Sequence, residues 1–111
     1  HGLQGEVKLK RGYPPTINHA AGAEVVAKSA QALLGEEGYR LMPAPFMASE
    51  DFSYLLQRYN GAFAFLGVAP PGTEGKAAPC HSNHMLVDED AMAVGVAMHA
   101  AIVLTCLDGS V

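Results

Sequence analysis

The chain has 111 residues, half of them hydrophobic and 16% charged, which is the size of one ordinary domain and too apolar for a disordered segment. Its net charge of −4 excludes the basic face that a nucleic-acid partner requires. Its two cysteines exclude the disulfide framework of a small secreted module.

The opening residues His1-Gly2-Leu3-Gln4-Gly5 lack the basic start and apolar core of a signal peptide. The expected compartment is therefore reducing, the cytoplasm. Residues 5–11 alternate, with Val7 and Leu9 on one side and Glu6, Lys8 and Lys10 on the other. That pattern predicts a strand with one dry and one wet face. No second alternating strand follows, and a lone strand has no independent stability. This is the first sign that the chain is a piece of something larger.

Pro14 and Pro15 end the strand, and Asn18 is placed to cap a helix from about His19 to Leu34. Ala23, Val26, Ala27, Ala30, Leu33 and Leu34 fall on one face of it, Glu24 and Lys28 form an outward i,i+4 pair, and Gly35 is a natural stop. Residues 39–42 suggest a short strand before Pro43. Ser49 is then a candidate N-cap, with Glu50 and Asp51 in the first turn of a helix whose buried stripe is Phe52, Leu55 and Leu56.

Ala62-Phe63-Ala64-Phe65-Leu66-Gly67-Val68 is a continuous apolar run, predicting a strand covered on both faces. Residues 70–79 form a Pro- and Gly-broken loop. The most chemically dense stretch follows: Pro79-Cys80-His81-Ser82-Asn83-His84, then Asp88, Glu89 and Asp90 as an acidic helix start. Residues 91–107 carry no formal charge. They fall short of the roughly 20 apolar residues of a membrane span and contain Gly95, His99 and Thr105, so they predict a buried core helix that must be covered on several sides.

Among the chemical residues, His81 and His84 have a spacing that suits a metal site, yet a bare pair is equally a chance pair. Cys80 beside His81 is a poor nucleophile–base pair, because active pairs come from separate elements. Glu50 and Asp51 are acid/base candidates that the helix start also explains. His99 reads as a core histidine and His19 as a surface one. From the residues by themselves the reading is an α/β domain with a candidate metal histidine.

Four blocks, taken in order, add a resemblance. Tyr13-Pro14-Pro15-Thr16-Ile17-Asn18, Ser49-Glu50-Asp51-Phe52-Ser53, Phe63-Ala64-Phe65-Leu66-Gly67, and His81 with Asp88 and Glu89 resemble the carboxy-terminal part of M20 metallopeptidases. The similar branch contains hippurate hydrolase, N-acyl-amino-acid hydrolases and the plant auxin-conjugate hydrolases. The resemblance implies an incomplete piece of a zinc-peptidase-like α/β catalytic domain, a mixed sheet flanked by helices, plus the last strand of an α+β lid domain. Residues 1–16 would end the lid and dimerisation domain, residues 17–111 would belong to the catalytic domain, and Tyr13 to Asn18 would be the hinge.

The resemblance further implies a dinuclear metal-dependent amidohydrolase that splits the amide bond of N-acyl amino acids. It would hold two divalent ions (Zn, Mn, Ni or Co), with His81 as a metal ligand. Glu50 and Asp51 would support the site, and Asn18 and Gly67 would lie near substrate. A homo-oligomer formed through the lid or an exposed face, with no nucleic-acid or membrane partner, completes the expectation. Asn83 stands where many relatives have proline, and neither His84 nor Cys80 matches a family role. The remaining metal ligands and the general base are absent from these residues, so the segment by itself is expected to be inactive. The competing reading is a non-catalytic, truncated or self-associating interaction module.

Overall fold

The computed structural model describes residues 2–73 and 75–109. Of the segments discussed above, His1 and Glu74 lie outside them. Three α-helices carry the architecture: α1 (Ala20–Leu34), α2 (Ser53–Arg58) and α3 (Asp90–Leu107), with a single 3-10 turn, Glu36–Gly38, after α1. Helix α1 stops where Gly35 takes φ 81°, a left-handed value that glycine adopts at no steric cost, and the Gly35 N–H closes on the Gln31 carbonyl at 2.8 Å. The expected outward pair forms, with Lys28 Nζ 2.8 Å from Glu24 Oε1.

The face of α1 that is covered matches the expected one only in part, with Ala30 common to both. Val25, Ser29 and Ala30 are buried, whereas Leu33 and Leu34 remain exposed. The reason is the neighbour: α1 packs on α3, where the Ser29 hydroxyl meets the Thr105 hydroxyl at 3.1 Å, and Thr105 also donates to the Ala101 carbonyl at 2.9 Å. The expected stripe of Ala23, Val26 and Leu34 instead lines an open trough of about 610 Å³, walled opposite by Phe63, Phe65 and Ile102.

Among the described residues no β-ladder forms. Residues 5–11 keep Glu6 and Lys8 paired at 3.2 Å, yet Val7 and Leu9 are also exposed, Leu9 at 94%. The apolar run 62–68 likewise has no neighbouring strand. The expected cover on both faces is not present, since Ala64, Phe65, Leu66 and Gly67 are exposed, but its side chains do make contacts. Phe63 and Phe65 lie edge to face with centroids 5.2 Å apart, against Phe52 and Phe46 respectively, while Leu66 reaches Gly95 of α3.

The close approach that organises this half of the structure is between two glycines. A Cβ on Gly22 of α1 would fall 2.5 Å from the carbonyl carbon of Gly61, a contact with main chain that no side-chain rotation relieves. Gly22→Ala is therefore expected to destabilise the full-length protein by about 1–3 kcal/mol, the usual cost of overpacking. A thermal midpoint equal to that of the unsubstituted protein would refute the contact.

Coverage is incomplete everywhere else. The buried apolar side chains among the described residues are Val25, Ala30 and Leu56, and no residue of α3 is buried. The radius of gyration is 18.3 Å, against roughly 13 Å for a compact domain of this length. By length and composition α3 is apolar enough to cross a membrane. The expectation that it must be covered on several sides thus meets a helix that α1 touches on one side only.

Candidate functional site

His81 stands apart by its backbone. It is the one non-glycine residue with positive φ among those described, at 71°. The cause is a tight turn over residues 79–82, closed by the Ser82 N–H on the Pro79 carbonyl at 3.0 Å. Left-handed φ at the third position, with Cys80 at ordinary negative φ before it, is the type II pattern that normally calls for glycine. A histidine there carries a conformational cost that surrounding structure must sustain, and such outliers concentrate at functional sites. The turn presents the His81 side chain to solvent.

The loop beyond it is held by short local bonds. The His84 N–H donates to Ser82 Oγ at 3.1 Å and the Met85 N–H to the Ser82 carbonyl at 3.1 Å. The loop is then tied to the apolar run, because the Asp88 N–H donates to the Val68 carbonyl at 2.8 Å. Asp88 Oδ1 accepts from the Asp90 N–H at 3.1 Å in the turn before α3, and of the three acids of the expected helix start only Asp90 lies in the first turn, after Glu89 at the N-cap. Cys80 is a free, exposed thiol.

Glu50 and Asp51 do not lie in the first turn of α2 as expected: the helix begins at Ser53, Phe52 stands at its N-cap, and the two acids form the turn before it, so Ser49 is too far away to cap it. The Glu50 carboxylate accepts from the Phe52 N–H at 3.1 Å, and the Glu50 carbonyl accepts from the fully buried Ser53 hydroxyl at 2.6 Å. These two bonds close the turn that leads into α2, with the buried Ser53 anchoring it from inside. Asp51 is exposed, and its carbonyl accepts from the Tyr54 N–H at 3.0 Å.

Asn18 does not cap α1. Its side-chain amide is engaged elsewhere: Nδ2 donates to the Phe63 carbonyl at 2.9 Å and Oδ1 accepts from the Phe63 N–H at 2.8 Å. The neighbouring His19 N–H donates to the Gly61 carbonyl at 3.0 Å, and a longer contact of 3.4 Å joins the Gly61 N–H to His19 Nδ1. His19, read from sequence as a surface residue, is half-buried in this junction. The two glycines were the signal for it: Gly22 interrupts a helical pattern and Gly61 precedes an apolar run, both places where main chain comes close. Gly67 has nothing within 4 Å of where a Cβ would stand, so its backbone is open to an approaching group.

The metal test is plain. No group of three or more His, Cys, Asp or Glu side chains is gathered closely enough to hold an ion among the described residues. Among the described residues the imidazoles of His81, His84 and His99 are all exposed, so His99 is not the core histidine expected, and none of them belongs to a gathered metal centre.

The sequence model of peptidase family M20/M25/M40 matches residues 4–105. The chain is 37% identical over 90 residues to IAA-amino acid hydrolase ILR1-like 6 of Arabidopsis thaliana, covering 81% of this chain and 19% of that protein. It is 32% identical over 103 residues to thermostable carboxypeptidase 1 of Saccharolobus solfataricus, covering 92% and 25%. With N-acetyldiaminopimelate deacetylase of Streptococcus sanguinis it shares 39% over 72 residues, covering 63% and 18%. The chain thus spans about a fifth to a quarter of the length of these relatives. No solved structure matches it.

Proposed function

The chain belongs to peptidase family M20/M25/M40, and we propose that it is the segment of a metal-dependent amidohydrolase that delivers one metal ligand, His81, to a two-ion site. The observation that carries this reading is the left-handed turn at His81. An exposed imidazole held at a costly φ is what a preformed ligand loop requires, whereas a surface loop without a role would relax or carry glycine. The other ligands and the general base would come from the parts of the protein beyond this segment.

The proposed substrates are N-acyl amino acids. Two of the similar proteins are named for this chemistry, one as an IAA-amino acid hydrolase and one as an N-acetyldiaminopimelate deacetylase. A pair of divalent ions, when bound, activates water and polarises an amide carbonyl. This chain's residues would do the rest from fixed positions: His81 donates a nitrogen lone pair, and the Glu50–Ser53 turn fixes the start of α2. The open backbone at Gly67 admits the substrate.

The architecture proposed is the α/β one, with run 62–68 as an internal strand and α3 packed against it, so that α3 lies inside protein rather than in a membrane. Residues before the hinge belong to a lid through which two copies would associate, in the cytoplasm. A second reading, a self-associating module without catalysis, is favoured by the bare apolar surface of α3. One assay separates the two. The full-length protein is expected to hydrolyse members of an N-acyl amino acid panel with Zn, Mn, Ni or Co supplied, and the 111-residue chain to show no turnover under the same conditions. Turnover by the short chain, or none by the full-length protein with any of the four metals, would overturn the reading.

A further inference from the structure

We propose that Asn18 is a positioning residue for the site: its side-chain amide pins run 62–68 at Phe63, and that run in turn holds the loop of His81. The proposal deepens the reading of His81 as a metal ligand and rests on it. Asn18 then serves the site through the fold rather than by touching substrate.

The pin is a two-point bond. Asn18 Nδ2 donates to the Phe63 carbonyl at 2.9 Å, and Oδ1 accepts from the Phe63 N–H at 2.8 Å. A main-chain residue carries one donor and one acceptor, and one side chain meets both at Phe63. That takes a primary amide, which offers a donor and an acceptor side by side. Aspartate has the shape without the N–H, and leucine has the shape with neither group. The next residue adds a main-chain bond, from the His19 N–H to the Gly61 carbonyl at 3.0 Å. The start of the run is thus held at residues 61 and 63. Both partners of each bond lie within the segment, so none of these bonds is left for the rest of the protein to supply.

The far end of the run carries the loop. The Asp88 N–H donates to the Val68 carbonyl at 2.8 Å. Between His81 and Asp88 the loop is bonded to itself, with the Ser82 N–H on the Pro79 carbonyl at 3.0 Å and the Met85 N–H on the Ser82 carbonyl at 3.1 Å. The apolar contacts of the run, Phe63 on Phe52 and Leu66 at Gly95, are non-directional and permit sliding. Hydrogen bonds at its two ends are directional and fix its position along its own axis. A shift at Phe63 is therefore passed to Val68, to Asp88 and to the loop that presents His81.

The test uses the full-length protein with metal supplied. Asn18→Asp removes the N–H and turns a carboxylate oxygen toward the Phe63 carbonyl. Amide hydrogen exchange at Asp88 is expected to quicken about tenfold, with exchange in the middle of α3 unchanged. In the same variant kcat should fall roughly tenfold with little change in KM, as misplacement from a distance does. Asn18→Ser, whose hydroxyl reaches one Phe63 group at most, should move both readouts in the same direction by less. A raised KM with Asp88 exchange unchanged makes Asn18 a substrate contact and overturns the proposal. A lower thermal midpoint with kcat and Asp88 exchange unchanged, or quickening that extends through α3, makes it a bond of general stability and overturns it too. If Asp88 exchange alone responds while the unsubstituted protein binds no metal and splits no amide, the tie from Asn18 to the loop stands and the hydrolase reading fails.

Discussion

Replacing His81 by glycine in the full-length protein is expected to abolish hydrolysis while leaving the fold as stable as before, or more so. The two halves of this expectation come from the same turn. Losing a metal ligand should cost more than the 10–100-fold that loss of an outer-shell partner costs, so a fall in kcat/KM beyond about 100-fold is the threshold. The backbone should gain, because glycine accepts the 71° φ at His81 without the penalty of about 1–2 kcal/mol carried by residues with a Cβ. His81→Asn tolerates the left-handed region but lacks the imidazole, and it should lose activity equally. His81→Ala should lose activity and gain no backbone relief. Stability must be compared with metal stripped by a chelator, because bound metal adds its own stabilisation. Full metal occupancy in His81→Gly would remove His81 from the ligand set. A loss of activity matched by a fall in metal-free stability would reduce it to a structural residue.

What the sequence discloses and what it withholds divide along a physical line. Local chemistry was readable. Gly35 ends α1, Glu24 pairs with Lys28, and Asp88 to Asp90 lead into α3, since each depends on neighbours within a few residues. The four motif blocks carried the family, and the match over residues 4–105 bears that out. Contacts between distant segments were not readable. Asn18 looks like a helix cap by type and place, but its amide is engaged by Phe63, 45 positions away. The buried face of α1 is set by Ser29 meeting Thr105, a polar pair that an apolar stripe cannot reveal. The expected Ser49 cap is absent because α2 begins only at Ser53, after a turn closed by Glu50 and the buried Ser53. The left-handed turn at His81 was likewise hidden, since glycine is its usual signal and the position holds histidine.

The isolated 111-residue chain is expected to associate in solution, and one substitution should have opposite effects on it and on the whole protein. Helix α3 has a mean hydropathy of 1.8 with no buried residue, and Val96 and Leu107 are 73% and 77% exposed. Continuous apolar surface of that kind does not stay in water when a second copy can cover it. Sedimentation velocity should therefore show species heavier than 11.6 kDa. Val96→Lys should shift the chain toward the monomer by placing a charge on the bare face. In the full-length protein the same lysine would be forced into a covered helix, where an unpaired charge costs several kcal/mol, so its thermal midpoint should fall steeply. If Val96→Lys leaves the full-length protein unaffected, α3 is a surface helix, and the proposed packing against run 62–68 is wrong. If the isolated chain floats with lipid vesicles instead of self-associating, the length and hydropathy of α3 serve a membrane, and its assignment to a protein interior fails. The opposite responses to one lysine are what an interior helix stripped of its cover requires.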